Sequence, residues 1–315
     1  MNAWISGVSG FIGTHLTRRL LEKGHKVYGT YFDPEELVRM RGLEEQIHLE
    51  KIDIRDAETV RTSIQECAPG RIYHLAAQSF PTVSWEKPVL TMNINANGTI
   101  NVFEAVKDLG LACRILVACS SAEYGFVTPE EVPVNEDHPL RPLHPYGVSK
   151  VAQDFLAYQY FKNFDMDTVR VRIFNCTGPS KTFDVASDFS KQVVQIEKGL
   201  IENRLSHGNL ESERDFTDVR DMVEAFEAMM ERGTKGEVYN ACSSKVVKIQ
   251  YLLDTLVSMA KTEINVFQDP EKMRPSDEPI IMGDNSRLRS DTGWEPGLSI
   301  EKTLEDMLEY WRETL

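Results

Sequence analysis

Apolar positions in the first half of the chain fall into short runs separated by stretches with helical spacing. The runs NAWISG, HKVYGTY, IHLEKID, RIYHLAA, CRILVACSS and DTVRVRIFN are bounded by turn or polar residues, which predicts strands. Between them FIGTHLTRRLLEKG, AETVRTSIQECA, the stretch from Trp85 to Leu109 and that from Pro145 to Phe161 have the periodicity of helices. Strand–helix alternation predicts an α/β fold, a doubly wound parallel sheet covered on both faces. After about Asn175 the rhythm changes to loops, short strands and helices, which suggests a smaller lobe with one piece returning to the first domain. The expected division is 1–174 plus about 217–242 for the large domain, and about 175–216 plus 243–315 for the lobe.

Composition changes the picture by exclusion. The 315-residue chain is 41% apolar and 27% charged, as in an ordinary soluble protein with a sizeable core. Lys plus Arg number 35 against 49 Asp plus Glu, a net charge of −14. That balance argues against nucleic acid or an anionic membrane as partner, and an anionic small ligand would need a local basic pocket. Five cysteines with no C-x-x-C pair argue against a disulfide framework or a metal site and for a reducing, cytoplasmic setting. The start MNAWISGVSGFIG has no basic segment, and glycines interrupt its apolar run, so neither signal peptide nor transmembrane span is expected.

The first predicted strand runs into GVSGFIG, with Gly7, Gly10 and Gly13 spaced G-x-x-G-x-x-G. A strand, a glycine turn and a helix start form a cradle for a dinucleotide pyrophosphate, lined by these glycines, Phe11 and Ile12. The spacing differs by one from G-x-G-x-x-G. An acid at the end of the second strand would favour NAD, and an arginine NADP. Asp33 follows late in VYGTYFDP and no arginine stands near that strand end until Arg39 and Arg41, so the reading leans to NAD with NADP possible. In DIRD, Asp53 either lies beside the adenine with Ile54 or caps the next helix. In HLAAQS, small residues at Leu75–Ala76–Ala77 would let backbone pass close to the cofactor.

HPYGVSK places Tyr146 and Lys150 one turn apart on a helix face, and a second copy of that spacing follows at Tyr158 and Lys162. G-x-x-G-x-x-G, HLAA, SSAEYG and PYGVSK in this order closely resemble the extended short-chain dehydrogenase/reductase family of nucleotide-sugar epimerases, dehydratases and reductases. The resemblance implies a Rossmann-type sheet with a C-terminal lobe that binds a nucleotide sugar. It also implies Tyr146 as acid/base, Lys150 as its activator and Ser120 as the hydroxyl orienting the substrate, with the second copy a coincidence. A cation about 4 Å from a tyrosine, at an effective dielectric of ~20, contributes ~4 kcal/mol, enough to lower its pKa by roughly three units.

RIFNCTGP, GNLESERDFTDVRDMVEAF, RPSDEP and GDNSRL…TGWEP look most like the GDP-mannose 4,6-dehydratase group and its sister GDP-4-keto-6-deoxymannose reductases. By that likeness Ser121, Ala122, Asn175, Asn209, Arg214 and Arg274 surround the sugar nucleotide, the arginines on its diphosphate. A surface salt bridge is the alternative for Arg214. Dehydratases of the group carry an acid where this chain has Ala122, and 3,5-epimerases carry a cysteine there. Glu123 lies one place on, facing the opposite way in an extended stretch. Reduction of a GDP-4-keto-6-deoxyhexose is therefore the main expectation. Alternatives are a UDP- or GDP-hexose 4-epimerase with tightly bound NAD, a dehydratase using Glu123, and a non-catalytic dinucleotide sensor. His138, His144 and His207 read as loop residues and the methionines as core filler. The helices Trp85–Leu109 and Pro145–Phe161 form a homodimer bundle by resemblance, or simply pack within the monomer.

Overall fold

The computed structural model describes residues 1–273 and 280–315. The first half builds β1 (Asn2–Ser6), α1 (Phe11–Glu22), β2 (Lys26–Tyr31), β3 (His48–Lys51), α2 (Ala57–Cys67), β4 (Arg71–His74) and α3 (Pro81–Glu86). Then come α4 (Pro88–Met92), α5 (Gly98–Asp108), β5 (Arg114–Ser120), α6 (Pro145–Phe164) and β6 (Asp167–Ile173). The second half adds β7 (Asn175–Thr177), α7 (Val185–Glu197), β8 (Leu205–His207), β9 (Glu213–Asp218), α8 (Val219–Arg232), β10 (Val238–Ala241) and β11 (Val246–Lys248). It ends with α9 (Ile249–Ser258), β12 (Val266–Gln268), β13 (Ile280–Ile281), α10 (Ser286–Thr292) and α11 (Ile300–Thr314).

Seven strands form one sheet in the order β10-β6-β5-β4-β1-β2-β3, every neighbour parallel. Parallel pairing demands crossover helices, and these cover both faces. One face buries Leu16, Leu20, Met222 and Phe226 of α1 and α8; the other buries Val60, Ile64, Val102 and Phe103 of α2 and α5. The chain winds outward from β1 to β3 and returns at β4, so a crevice opens where β1 and β4 end. This is the doubly wound parallel sheet that the strand–helix pattern predicts, of the Rossmann type that the family resemblance implies.

A second sheet centres on β9, which pairs with β7 and β13 in parallel and with β11 antiparallel, while β8 and β12 pair separately. Phe189, Val193, Leu252, Leu256, Leu308 and Trp311 of α7, α9 and α11 form the lobe's core. The predicted strand DTVRVRIFN is divided: β6 belongs to the large sheet and, past Phe174, β7 belongs to the small one. The single helix expected from Trp85 to Leu109 is also divided. Pro88 has no N–H to continue the turn before it, and residues Asn93–Asn97 make a wider π turn before α5 begins.

The glycine turn after β1 is backed by close packing. Gly7 has φ +74°, and a Cβ there would lie 3.0 Å from the Ala76 backbone. On α1, a Cβ at Gly13 would lie 2.4 Å from the Gly7 carbonyl oxygen and 2.8 Å from that of Val8. Gly13→Ala is expected to destabilise the protein by about 1–3 kcal/mol through overpacking. A thermal melt checks this, and an unchanged Tm would show that the turn can yield.

Candidate functional site

The β1–α1 turn is held from three sides. The N–H groups of Gly7 and Val8 both donate to the Thr30 carbonyl at 2.9 Å, and Gly10 N–H donates to Gly7 O at 3.1 Å. No side chain caps α1 at Gly10, so the helix start at Phe11 and Ile12 can receive an anion. With the Cβ-excluding contacts of Gly7 and Gly13, these residues fit a dinucleotide pyrophosphate.

The loop after β4 is tied to this turn by residues that the sequence motif did not single out. Ser6 Oγ accepts the N–H groups of Leu75 and Ala76, each at 3.1 Å, and donates to His74 Nδ1 at 2.8 Å. Thr99 donates its hydroxyl proton to Asn95 O at 2.6 Å, so it accepts from His74 Nε2–H at 2.9 Å and from Gln153 at 2.7 Å. Burial lowers the His74 pKa to about 3, which leaves the ring neutral and each nitrogen with one fixed role. Asn95, in the π turn, accepts Gln78 N–H at 2.7 Å and donates to Ser149 Oγ at 2.8 Å; Ser149 in turn donates to Tyr146 O at 2.7 Å. A polar residue closing an apolar strand, His74, was the available signal for this network.

The acids expected at the adenosine end are engaged locally. Asp33 accepts Glu35 N–H at 2.9 Å as the cap of a short 3-10 turn. Asp53 grips the Arg55 guanidinium, which lowers its pKa. Beside it Ile54 is buried against Gly98. At the glycine turn itself Ser9 Oγ donates to Glu36 at 3.2 Å, and Glu36 lies 3.4 Å from Arg39. The loop at 178–184 reaches this half: Pro179 O bonds His15 at 3.0 Å, Lys181 lies 4.7 Å from the Phe11 ring centre, and Phe183 meets Phe80 edge-on.

Tyr146 stands in the first turn of α6, where His144 caps the helix by accepting Gly147 N–H at 3.0 Å. A Cβ on Gly147 would lie 2.7 Å from Ala122 O, so this turn packs against the end of β5. The Ser120 hydroxyl lies near enough to the Tyr146 phenol to favour its ionised form, and Ser121 and Ala122 follow Ser120 half-buried. The electrostatics differ from the expected depression. Desolvation pushes Tyr146 up to about 12 and Lys150 down to about 8. Lys150 Nζ lies 5.8 Å from the Tyr146 ring centre and donates to Ala118 O at 2.8 Å. The estimate from a single cation omitted the removal of both groups from water. Tyr158 stands on the exposed side of α6, against Lys162 and Arg170.

In the small sheet Asn175 of β7 donates to Asp215 O at 3.1 Å, next to Arg214 of β9. Arg214 Nη1 donates to Glu213 O at 2.9 Å, and Asn209 donates to Ser212 at 3.1 Å on the preceding loop. Arg274 lies outside the described residues. His207 is buried, with Nδ1 2.8 Å from Gly208 O, and His138 contacts Pro139 O at 2.9 Å. No helix among the described residues is long and apolar enough to cross a membrane.

The site can be set beside known proteins. The chain is 30% identical to the GDP-6-deoxy-D-mannose reductase of Pseudomonas aeruginosa, over 98% of this chain and 96% of that protein. The structure of RMD from Pseudomonas aeruginosa complexed with NADPH is 29% identical, with a TM-score of 0.87 over 100% of this chain and 99% of that one. The Thermus thermophilus UDP-glucose 4-epimerase complex with NAD is 25% identical, with a TM-score of 0.86 over 100% of both chains. Residues 4–307 match the GDP-mannose 4,6 dehydratase family. The chain belongs to that family, within the extended short-chain dehydrogenase/reductases that act as NAD(P)-dependent nucleotide-sugar enzymes.

Proposed function

We propose that the protein reduces the 4-keto group of a GDP-linked 4-keto-6-deoxyhexose. A reduced nicotinamide dinucleotide supplies the hydride, Tyr146 gives the proton to the new alkoxide oxygen, and Ser120 orients that oxygen. Lys150 is the cation that draws charge toward the phenol. The observation that carries this reading is the Tyr146–Ser120 pair, with its phenol held protonated. Elimination of water needs an acid beside that pair. Ala122 stands where the dehydratases place it, and Glu123 is fully buried. The similarity to the reductase of Pseudomonas aeruginosa supports the same reading. Similarity to a 4-epimerase in complex with NAD favours a second reading, in which the same three residues oxidise and re-reduce C4.

In this reading residues 1–174 with about 217–242 hold the dinucleotide. The lobe, with Asn175, Asn209, Arg214 and Arg274, holds the sugar nucleotide. The five buried thiols suit a reducing cytoplasm.

NADH is the proposed coenzyme, because the charge fastened to the glycine turn is the Glu36 carboxylate, with Arg39 paired to it. A carboxylate accepts a ribose hydroxyl and repels a 2′-phosphate. The protein is also proposed to dimerise through α6. That helix turns Ser149, Lys150, Gln153 and Asp154 inward and leaves Val148 and Phe155 exposed, beside Trp85 (64% exposed) and Val89 (72%). Trp85, Met92, Leu143 and Val148 line a depression of about 380 Å³ on this surface. From Val148 to Phe155, an apolar outer face over a polar inner one is the reverse of a monomer's surface helix, and a second copy of the same face would cover it.

Oxidation of NADH by GDP-4-keto-6-deoxymannose tests the reaction. Tyr146→Phe is expected to lower kcat by at least ~100-fold, the usual worth of a positioned acid. Because kcat/KM reports the free enzyme, it should stay level at neutral pH and fall as Lys150 loses its proton near its pKa of about 8. Inert NADH together with tightly bound NAD in the purified protein would turn the assignment to the epimerase. By fluorescence titration NADH should bind about tenfold tighter than NADPH, the scale of one exposed like-charge contact. Glu36→Gln should narrow that gap, and tighter NADPH binding would defeat the coenzyme assignment. Light scattering should give a dimer that Phe155→Glu converts to monomer; a monomeric wild type would remove the interface.

A further inference from the structure

Glu123 takes no part in the chemistry above, yet it touches both elements that carry it. Ser120 ends β5 and begins the 3-10 turn Ser121–Glu123, its Oγ accepting Ala122 N–H at 3.2 Å. Glu123 Oε1 accepts the Ser120 N–H at 2.9 Å, completing a capping box. Capping boxes normally lie in solvent, but here the carboxyl is wholly buried. Its second oxygen, Oε2, lies 3.3 Å from Arg172 Nε without a hydrogen-bond donor. That N–H is directed instead at Asp154 Oδ2, 2.9 Å away, and Arg172 Nη1 serves Tyr124 Oη at 3.1 Å and Glu136 O at 2.9 Å.

The Asp154 carboxyl lies within 4.8 Å of the Glu123 carboxyl, and Arg172 Nε lies near both Glu123 Oε2 and Asp154 Oδ2; Asp154 stands two turns along α6 from Tyr146 and one from Lys150. Two adjoining carboxyls in a closed site share a proton. Burial first, and Asp154 second, raise the Glu123 pKa well above the carboxylate range. Asp154 already receives Arg170 at 2.5 Å and Arg172 at 2.9 Å, which leaves the shared proton on Glu123. Acid groups of Cys119, Glu123 and Asp154 lie within 4.8 Å of one another. With two guanidinium cations on the same cluster, a proton fits it better than a divalent ion does.

We propose that Glu123 is a positioning residue. Its carboxyl bonds the Ser120 N–H through one oxygen and Asp154 through the other, and so sets the separation between the Ser120 hydroxyl on β5 and the Tyr146 phenol on α6. The proposal rests on the roles given above to Ser120 and Tyr146. The bridge is intact at neutral pH and fails as rising pH removes its proton, when two like charges would stand between strand and helix. The groups facing Glu123 are Cys119 of β5, Tyr146, Lys150 and Asp154 of α6, and Arg172 of β6, with Arg170 behind Asp154. The cations Lys150 and Arg172 favour loss of that proton, whereas burial and Asp154 favour its retention.

The experiment compares the full-length wild type with Glu123→Ala, Glu123→Gln and Tyr146→Phe from neutral to alkaline pH. Glu123→Ala should lower kcat by about 10–100-fold, the scale of a misplacement near 1 Å, with KM and the NADH dissociation constant near wild type. Glu123→Gln should restore kcat, since its amide accepts from Ser120 and donates to Asp154 at every pH. Both proteins decline as Lys150 loses its proton, and the wild type should decline more steeply, through a second ionisation that Glu123→Gln lacks. A wild-type kcat in Glu123→Ala, or an alkaline decline in Glu123→Gln that overlays the wild type, would overturn the proposal. If Glu123→Ala does not fold, the Glu123→Gln profile decides alone. A second readout needs no substrate: NMR of carbon-labelled tyrosine, with Tyr146 assigned by its loss in Tyr146→Phe. The Tyr146 signal should shift in Glu123→Ala and return in Glu123→Gln. Failure of Tyr146-dependent reduction, with this shift still present, would refute the reaction and leave the bridge standing; an unmoved signal would refute the bridge.

Discussion

The ion cluster in which Asp154 receives the guanidinium groups of Arg170 and Arg172 holds α6 against β6, and the arrangement of the cleft follows from where α6 sits. The first half of that helix turns polar residues inward, and apolar burial enters only further along, at Leu156, Ala157 and Tyr160. Paired charges and directed hydrogen bonds must seat the first half. A buried ion pair adds little to net stability, but losing one partner costs about 3–5 kcal/mol because the other is left unpaired. A slip of α6 along β6 would leave such a charge, so the helix has one register. Tyr146 and Lys150 inherit their positions from it.

A second chain of bonds does for the cofactor half what the ions do for α6. From Ser6 through His74 and Thr99 to Asn95, each donor has one acceptor, and the neutral imidazole keeps the direction from reversing. This chain reaches α6 again at Gln153 and Ser149. The glycine turn, the loop after β4 and the start of α6 are thereby one polar assembly crossing the end of the sheet. Apolar packing on the two faces supplies bulk stability, while the polar assembly fixes the alignment.

Much of this was legible in the chain. The strand–helix rhythm predicts the parallel sheet because parallel pairing requires a crossover, and the glycine spacing marks the one turn where backbone must approach backbone. Other features could not be read. Lys150 and Tyr146 lie one turn apart in sequence, yet burial shifts their pKa values apart rather than together. Asp33 is an acid in a plausible place, but its oxygen is taken by the Glu35 N–H. Glu36 reaches the glycine turn from a short 3-10 turn with no periodic signature. The strands β11, β12 and β13, three residues or fewer each, are too short to alternate.

The sequence by itself determined the elements, their order and the residue types available for chemistry, because periodicity, turn chemistry and helix spacing are local properties written in consecutive residues. Which side of Ser120 the Glu123 carboxyl takes, and which of two Tyr–Lys pairs on one helix has its lysine buried and its tyrosine near a serine, were decided by tertiary structure alone. Both depend on desolvation and on partners far along the chain, Asp154 and Arg172 for Glu123 and Ser120 for Tyr146, and no local pattern encodes those distances.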